Sequence, residues 1–352
     1  MRIAVACGGT GGHIFPGLAT AQELTKRGHE VSLWLAGRDV EGDSVREWSG
    51  PVVALKARGL SGGVGSRARA LAGMLKTVCH SLQLMRRQRP DVVVAMGAYS
   101  SVGPGLAAGL LRIPLVLHEG NAVPGRAMRL LAPFAATIGT GFPALRGLPA
   151  RKTIYCGFPV RAAFSEMKKC PADPPLLLVT GGSQGAAILN RVVPEAIRTF
   201  VKSGGPALQV VHVSGKGAYD VVREQYKGLE HMVRVEAFSH EMPALYAAAS
   251  IAITRAGAAT CTELAVAKVP AILVPYAAAA GNHQWYNAKS MVDTGGFALM
   301  DESACDAASL ASSLHTFLSQ PERLAHMQRA LPGPIVSDGA ANLANLVEQT
   351  AS

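Results

Sequence analysis

The sequence predicts an α/β protein made of two doubly wound, Rossmann-like halves. Three observations carry this. Short apolar runs with strand character alternate with helical patterns along the whole chain. Two of the runs end in glycine pairs, Gly8-Gly9 and Gly181-Gly182, each followed by a helix signal, so the second half echoes the first. The length of 352 residues suits two domains, and 49% hydrophobic against 16% charged residues supplies their cores and excludes a disordered chain.

In order, the first half reads as strands at Arg2–Ala6, Glu30–Leu35, Val52–Ala54, Val92–Ala95, Leu115–His118, Thr137–Ile138 and Thr153–Tyr155. The second reads as strands at Leu176–Thr180, Gln209–Val213, Val233–Glu236, Ile251–Ile253 and Ala271–Val274. Helices are expected over Pro16–Leu24, from Ala187 onward, from Ala258 onward and over Ala70–Arg89. The seam falls at Gly157-Phe158-Pro159-Val160-Arg161, before a stretch from Lys168 to Pro175 rich in Lys, Pro and Asp. This gives an N-terminal domain over 1–157, a C-terminal domain over 158–335, and a terminal helix over 336–352 packing back on the first domain. Ligands of such sheets bind beyond the carboxyl ends of the strands. Two such sheets facing each other would share one cleft lined by the glycine-rich turns.

Composition narrows the partners. The net charge of +10 permits nucleic acid, anionic lipid or phosphorylated substrates. Aromatics make up only 5% and none interleave with the basic residues as stacking platforms would, which argues against nucleic acid. The six cysteines form no C-x-x-C pair and no zinc-like cluster, so reduced thiols in the cytoplasm are expected. No secretory signal and no apolar span of about 20 residues is present. Leu106–Leu117 is broken by Arg112 and Pro114, and Val269–Ala280 by Pro270 and Pro275. A soluble or peripheral protein is expected.

Five runs carry chemistry. The first is Gly8-Gly9-Thr10-Gly11-Gly12-His13, where glycines let backbone approach a ligand and the following helix start offers free N–H groups. It is neither the dinucleotide fingerprint, whose last glycine would fall at Ile14, nor a Walker loop. The second is Gly181-Gly182-Ser183-Gln184-Gly185, whose N–H groups and Ser183 hydroxyl suit a phosphate. The third runs from Arg255 to Glu263: N–H groups from Ala258 to Thr260 form a second anion cradle, and Glu263 can accept from a ribose diol or simply favour the helix dipole. The fourth, Gly281-Asn282-His283-Gln284-Trp285-Tyr286-Asn287, suits sugar hydroxyls or a helix capped by Asn282. The fifth is His118-Glu119-Gly120-Asn121 at a strand end, where His118 and Glu119 are either catalytic candidates or a structural pair. A basic loop, Arg58–Arg67, either closes over a negatively charged substrate or is surface.

These runs, with Gly97-Ala98-Tyr99 and the Gly157–Arg161 seam, resemble in order and over nearly the full length the MurG family of bacterial peptidoglycan glycosyltransferases, glycosyltransferase family 28. The resemblance implies a GT-B fold with the donor nucleotide held mainly by the second domain, and the first domain facing acceptor and membrane. It implies transfer of N-acetylglucosamine, with inversion, from UDP-N-acetylglucosamine to the muramyl 4-hydroxyl of lipid I, the undecaprenyl-pyrophosphoryl-MurNAc-peptide, giving lipid II. The protein would work at the cytoplasmic face of the cell membrane as a peripheral protein. Glu263 would hold the ribose, and Ala258, Ala259 and Thr260, with neighbouring Cys261 and Thr262, the diphosphate region. Ser183 would lie near the phosphates, and Arg161 with the main chain near Ser239 would contact the base. Gln284 and Asn121 would bind the sugar, Thr10, Gly11 and Gly12 would approach the donor from the other wall, and His13 would be the general base. A helix-capping role is the alternative for His13.

The chain departs from the pattern where Ala277–Asn282 replaces a Pro-His-Ala-Ala-Asp-Asp stretch, and where Ala98, Gly120 and Phe158 stand for the usual Gly, Gln and Asn. No Asp-x-Asp occurs, Asp39-Val40-Glu41 being nearest, so no metal and no cofactor is expected. The lipid acceptor implies contact with an anionic membrane surface. Leu71, Met74, Leu75, Val78, Leu82 and Met85 lie on one helical face among Arg67, Arg69, Lys76, Arg86, Arg87 and Arg89. That stripe suits an interface or packing on the sheet. The competing readings are a UDP-sugar epimerase of similar form and a non-catalytic basic binding protein.

Overall fold

The structure, a computed structural model, describes residues 1–9, 11–36, 48–55, 64–143, 147–182, 184–331 and 338–351, with backbone only over 64–71. The chain divides into two compact units, Met1–Arg161 with Pro334–Ser352, and Ala162–Gly333.

The first unit contains β1 (Arg2–Ala6), α1 (Gly11–Lys26), β2 (Glu30–Ala36), β3 (Val52–Leu55), α2 (Val64–Gln88), β4 (Val92–Ala95), α3 (Val102–Leu111), β5 (Leu115–Glu119), α4 (Arg126–Leu131), β6 (Thr137–Thr140) and β7 (Thr153–Tyr155). Among the described residues these strands form a seven-stranded parallel sheet in the order β3-β2-β1-β4-β5-β6-β7. The doubly wound expectation is borne out: from β1 the chain winds outward to β2 and β3, then crosses back to β4 on the other side. The switch point, where a crevice opens beyond the carboxyl ends, lies between β1 and β4.

Alternation along each strand feeds two cores. Ile3, Val5, Val92 and Val94 pack with Leu18, Ala21 and Leu24 of α1 and with Leu343, Leu346 and Val347. Ala4, Ala6, Val93 and Ala95 pack with Met85 of α2, Ala107 and Ala108 of α3, and Met128 and Leu131 of α4. The final helix of the chain therefore belongs to this unit. Its Asn345 and Glu348 side chains also receive Arg27 Nη1 at 2.7 and 2.9 Å. The stripe on α2 is divided: Val78 and Met85 are buried and Leu82 half-buried, while Leu75 is 57% exposed. Thr77 and Ser81 are buried as well, because α2 approaches α3 closely; a Cβ on Gly103 would lie 2.5 Å from Thr77 Cγ2.

The second unit contains α5 (Ala162–Ser165), β8 (Leu176–Thr180), α6 (Ala187–Lys202), β9 (Gln209–Val213), α7 (Tyr219–Gln225), β10 (Val233–Glu236), α8 (Met242–Ala248), β11 (Ala249–Thr254), α9 (Ala258–Val266), β12 (Ala271–Leu273), α10 (His283–Val292), β13 (Phe297–Leu299), α11 (Ala307–Leu318) and α12 (Pro321–Ala330). The sheet is again parallel, in the order β10-β9-β8-β11-β12-β13 among the described residues, with its switch point between β8 and β11. Leu177 and Val179 of β8 pack with Leu189, Val193, Ile197 and Phe200 of α6. The helix α13 (Gly339–Ala351) then returns the chain to the first unit. No described helix is long and apolar enough to cross a membrane.

Two expectations need adjusting. The first helix begins at Gly11, not Pro16, so Gly11, Gly12 and His13 form its opening turn. Strand β13 is an addition: three residues behind Gly295-Gly296 carry too little pattern to stand out.

Candidate functional site

Each unit has a set of polar groups at its own switch point. In the first, Gly8 and Gly9 leave β1 with φ of 148° and 94°, a path closed to side chains, and turn the chain into α1 within a few residues. His13 then projects from the first turn of α1 toward the end of β4. Its Nδ1 lies 2.9 Å from the Met96 carbonyl oxygen. A carbonyl only accepts, so Nδ1 carries the hydrogen and the ring's lone pair sits on Nε2. Gly97 lies beneath the ring; a Cβ there would stand 3.4 Å from it. Ala98 follows with φ 54° and ψ −178°, a region that belongs almost wholly to glycine.

At the end of β5, His118 and Glu119 are buried, 1% and 3% exposed. His118 Nε2 donates to the Gly157 carbonyl at 3.0 Å, and the ring stands edge-on to Phe158 at 5.9 Å. Burial lowers its pKa to about 4, with the Gly157 carbonyl opposing and the nearby His13 assisting, so it is neutral at physiological pH. Glu119 organises the loop after it. One carboxylate oxygen accepts from the Asn121 N–H at 2.9 Å and Nδ2 at 3.2 Å, the other from the Gly125 N–H at 2.8 Å. These bonds present Asn121 at the strand end. Gly120 touches Phe158: a Cβ on Gly120 would come within 2.7 Å of the ring. Gly120 and Phe158 thus share one space, the ring occupying the room that a side chain at 120 needs. Arg161, at the end of this unit, places its guanidinium 4.7 Å from the centroid of Phe15.

In the second unit, Gly181, Gly182 and Gly185 lie between β8 and α6, whose N-cap is Ala186. Gly182 and Gly185 have φ of 82° and 74°, and a Cβ on Gly185 would overlap the Ser214 carbonyl. That carbonyl is fixed from below by a buried chain of hydrogen bonds. Asn190 Nδ2 donates to it at 2.9 Å, Asn190 Oδ1 lies 3.0 Å from His212 Nε2, and His212 Nδ1 lies 2.9 Å from Tyr226 Oη. Burial lowers the His212 pKa to about 4 and keeps the ring neutral. The bonds from Asn190 and Tyr226 were invisible to sequence reading because the partners come from separate elements.

Across the switch point, Gly257 caps α9 with extended geometry, and the N–H groups of Ala258, Ala259 and Thr260 open the helix, where the first turn has no intrahelical acceptors. Glu263 follows on α9 and is half-buried. Cys261 and Thr262 lie on the inner side; Thr262 Oγ1 donates to the Ala258 carbonyl at 2.9 Å, and burial pushes the Cys261 thiol up to about 12. Their side chains are thus turned into the unit. Ser239 sits after β10, its Oγ accepting from the Glu241 N–H at 3.3 Å. Gln284 lies in the first turn of α10, and Asn282 at its N-cap adopts φ 55° without a side-chain capping bond. Thr10, Ser183, the basic loop as far as Gly63, the side chain of Leu71, and Asp39-Val40-Glu41 lie outside the described residues. Among the described residues no group of three or more His, Cys, Asp or Glu is placed to hold a metal ion.

Comparison with known proteins adds kinship to this geometry. The glycosyltransferase family 28 N-terminal domain matches residues 3–140 and the family 28 C-terminal domain residues 176–346. A protein of Anaeromyxobacter sp. (strain Fw109-5) named UDP-N-acetylglucosamine–N-acetylmuramyl-(pentapeptide) pyrophosphoryl-undecaprenol N-acetylglucosamine transferase is 39% identical over 337 residues, covering 94% of this chain and 88% of its own. The crystal structure of Acinetobacter baumannii MurG superposes with a TM-score of 0.79 at 27% identity, covering 99% of both chains. A UDP-GlcNAc 2-epimerase from Neisseria meningitidis, solved bound to UDP-GlcNAc, shares the fold at 13% identity, with a TM-score of 0.68 over 99% of this chain and 100% of its own.

Proposed function

The chain belongs to glycosyltransferase family 28, and from that premise we propose that it transfers N-acetylglucosamine from UDP-N-acetylglucosamine to the muramyl 4-hydroxyl of lipid I, forming lipid II. The observation that carries this reading is the pair of glycine-led helix starts at one switch point, Gly181–Ala187 and Gly257–Thr260. Both offer main-chain N–H groups beyond the carboxyl ends of adjacent strands, where a diphosphate is best held.

In the reaction the acceptor oxygen attacks the anomeric carbon as the bond to the β-phosphate oxygen breaks, and UDP leaves with the bonding electrons. The helix starts of α6 and α9 stabilise the charge growing on that phosphate. Nε2 of His13, made the basic nitrogen by the Met96 carbonyl, takes the hydroxyl proton. Glu263 accepts from the ribose hydroxyls, Ser183 with the main chain of Ala258, Ala259 and Thr260 contacts the diphosphate, and Arg161 and the segment at Ser239 contact the base. Gln284 and Asn121 bind the sugar hydroxyls. His118 and Glu119 act by shaping the segments at Gly157 and Asn121.

The acceptor's lipid tail sets the workplace at the cytoplasmic surface of the membrane. Exposed Leu75, Leu110, Leu130 and Phe134, carried on α2, α3, α4 and the turn after α4, support that contact, with exposed Lys76, Arg86 and Arg87 suited to anionic headgroups. Sedimentation of the Lys76→Glu/Arg86→Glu/Arg87→Glu variant with anionic vesicles tests it, and unchanged pelleting would reject it.

A transfer assay with labelled UDP-N-acetylglucosamine and a lipid I analogue tests the activity. Labelled lipid product that requires the acceptor is the expected result. Conversion of the UDP-sugar without acceptor would overturn it in favour of an epimerase.

A further inference from the structure

Glu302, just beyond β13, belongs to none of the runs singled out in the sequence, yet both its carboxylate oxygens are engaged at the stretch leading to Gln284. Oε1 lies 2.7 Å from Arg255 Nη2, and Oε2 accepts the Ala277 N–H at 2.7 Å. Arg255 is 9% exposed and uses Nη1 to reach the Val274 and Pro275 carbonyls at 3.2 Å each, with its guanidinium 5.1 Å from the Tyr276 ring centroid. The Tyr276 N–H goes to Gln284 Oε1 at 2.9 Å. Thus from Val274 to Ala277 successive backbone groups are taken by three side chains: Arg255, Gln284 and Glu302. The following residues, Ala277 to Ala280, carry no side chain able to fasten the loop, which is held by these outside groups together with its own turn bonds, the Ala279 N–H to the Tyr276 carbonyl at 3.1 Å and the Asn282 N–H to the Ala279 carbonyl at 2.8 Å.

The same bonds fix the chemistry that Gln284 offers. A backbone N–H only donates, so the amide oxygen of Gln284 must face Tyr276. What Gln284 turns outward is its –NH₂ group, which donates. A sugar hydroxyl oxygen accepts from such a group; a ligand presenting only donors does not.

We infer that Glu302 is a positioning residue for donor-sugar recognition. Through Ala277 and Arg255 it holds the strand-end segment against which Gln284 is oriented, so that the Gln284 amide meets the sugar as a donor. This rests on the reading of the second unit as the UDP-sugar site. It assigns discrimination of the sugar to a carboxylate that touches no substrate, acting through a loop of alanines.

The test uses the full-length chain and separates sugar from nucleotide. KM for UDP-N-acetylglucosamine is measured beside Kd for UDP and the thermal midpoint. Glu302→Gln keeps one acceptor oxygen for Ala277 but turns its –NH₂ toward Arg255, so it should raise KM by less than Glu302→Ala, which should raise KM by about tenfold with Kd for UDP within about twofold. Ala277→Pro removes the N–H while leaving Arg255 and Glu302 in the chain; its ring also fixes φ at 277 and restricts Tyr276, so the thermal midpoint is read beside it, and a selective rise in KM is expected even if Glu302→Ala fails to fold. Equal weakening of UDP and UDP-sugar, or an unchanged KM in Ala277→Pro, would overturn the inference. Failure of the parent protein to bind UDP would instead sink the proposed function, and is read in the same experiment.

Discussion

His13 Nδ1 and the Met96 carbonyl oxygen are 2.9 Å apart, a bond that joins the first turn of α1 to the end of β4 across the switch point of the first unit. It decides which nitrogen of the imidazole is basic and in which direction that nitrogen points. The bond ties Nδ1 to a neighbouring strand end.

If Nε2 takes the acceptor proton, His13→Ala should lower kcat by about 100-fold or more while KM for the donor changes little. Steady-state kinetics with both substrates varied decide this. Parallel losses in kcat and donor affinity would assign the residue to binding.

His118 and His212 both have pKa values lowered to about 4, chiefly by burial, against an ordinary value near 6.5. Between those values the unfolded chain binds protons that the folded chain refuses. Stability is therefore fully present above pH 6.5 and is lost as pH falls toward 4, with a slope approaching about 1.4 kcal/mol per pH unit for each histidine. Urea denaturation from pH 7 to pH 4.5 should show a falling midpoint, shallower in His212→Gln. A midpoint independent of pH over that range would contradict the burial of both rings.

Gly120 and Phe158 should behave as a coupled pair. Gly120→Ala alone forces a methyl into the Phe158 ring and should cost about 1–3 kcal/mol. In a Phe158→Leu background the same substitution should cost less, which a double-mutant cycle by chemical denaturation measures. Additive effects would mean that the ring moves aside freely.

Ala98 occupies a backbone region suited to glycine. Ala98→Gly should therefore stabilise the protein, with relief of strain of about 1–3 kcal/mol offset in part by greater freedom in the unfolded chain. Destabilisation by that substitution would show that the methyl, which a Cβ on Gly9 would meet at 3.5 Å, matters more than the torsion.

The strands were legible because each parallel strand is a short β-branched or apolar run bounded by turn residues, and runs such as Arg2–Ala6, Leu176–Thr180 and Gln209–Val213 coincide with the observed strands. The glycine turns were legible because positive φ restricts residue type. Other features escaped for physical reasons. On α2, Thr77 and Ser81 are buried because a glycine-bearing helix comes close, and apolar periodicity does not register close approach between small residues. Glu302 lies 47 positions from Arg255 and 25 from Ala277, so no local pattern reveals their bonds. His212, Asn190 and Tyr226 likewise meet only after α6, β9 and the segment after α7 have packed. Cys261 and Thr262 sit inside a run whose neighbours line the helix start, but helical rotation turns their side chains inward.

Leu343, Leu346 and Val347 complete a core whose first members are Ile3 and Val5. During synthesis the first unit therefore lacks several core side chains, each contributing about 1.5–3 kcal/mol, until the chain has been extended past Ala162–Gly333 to α13. The unit begun first is thus the one completed last, because its core awaits residues that follow the whole of the other unit.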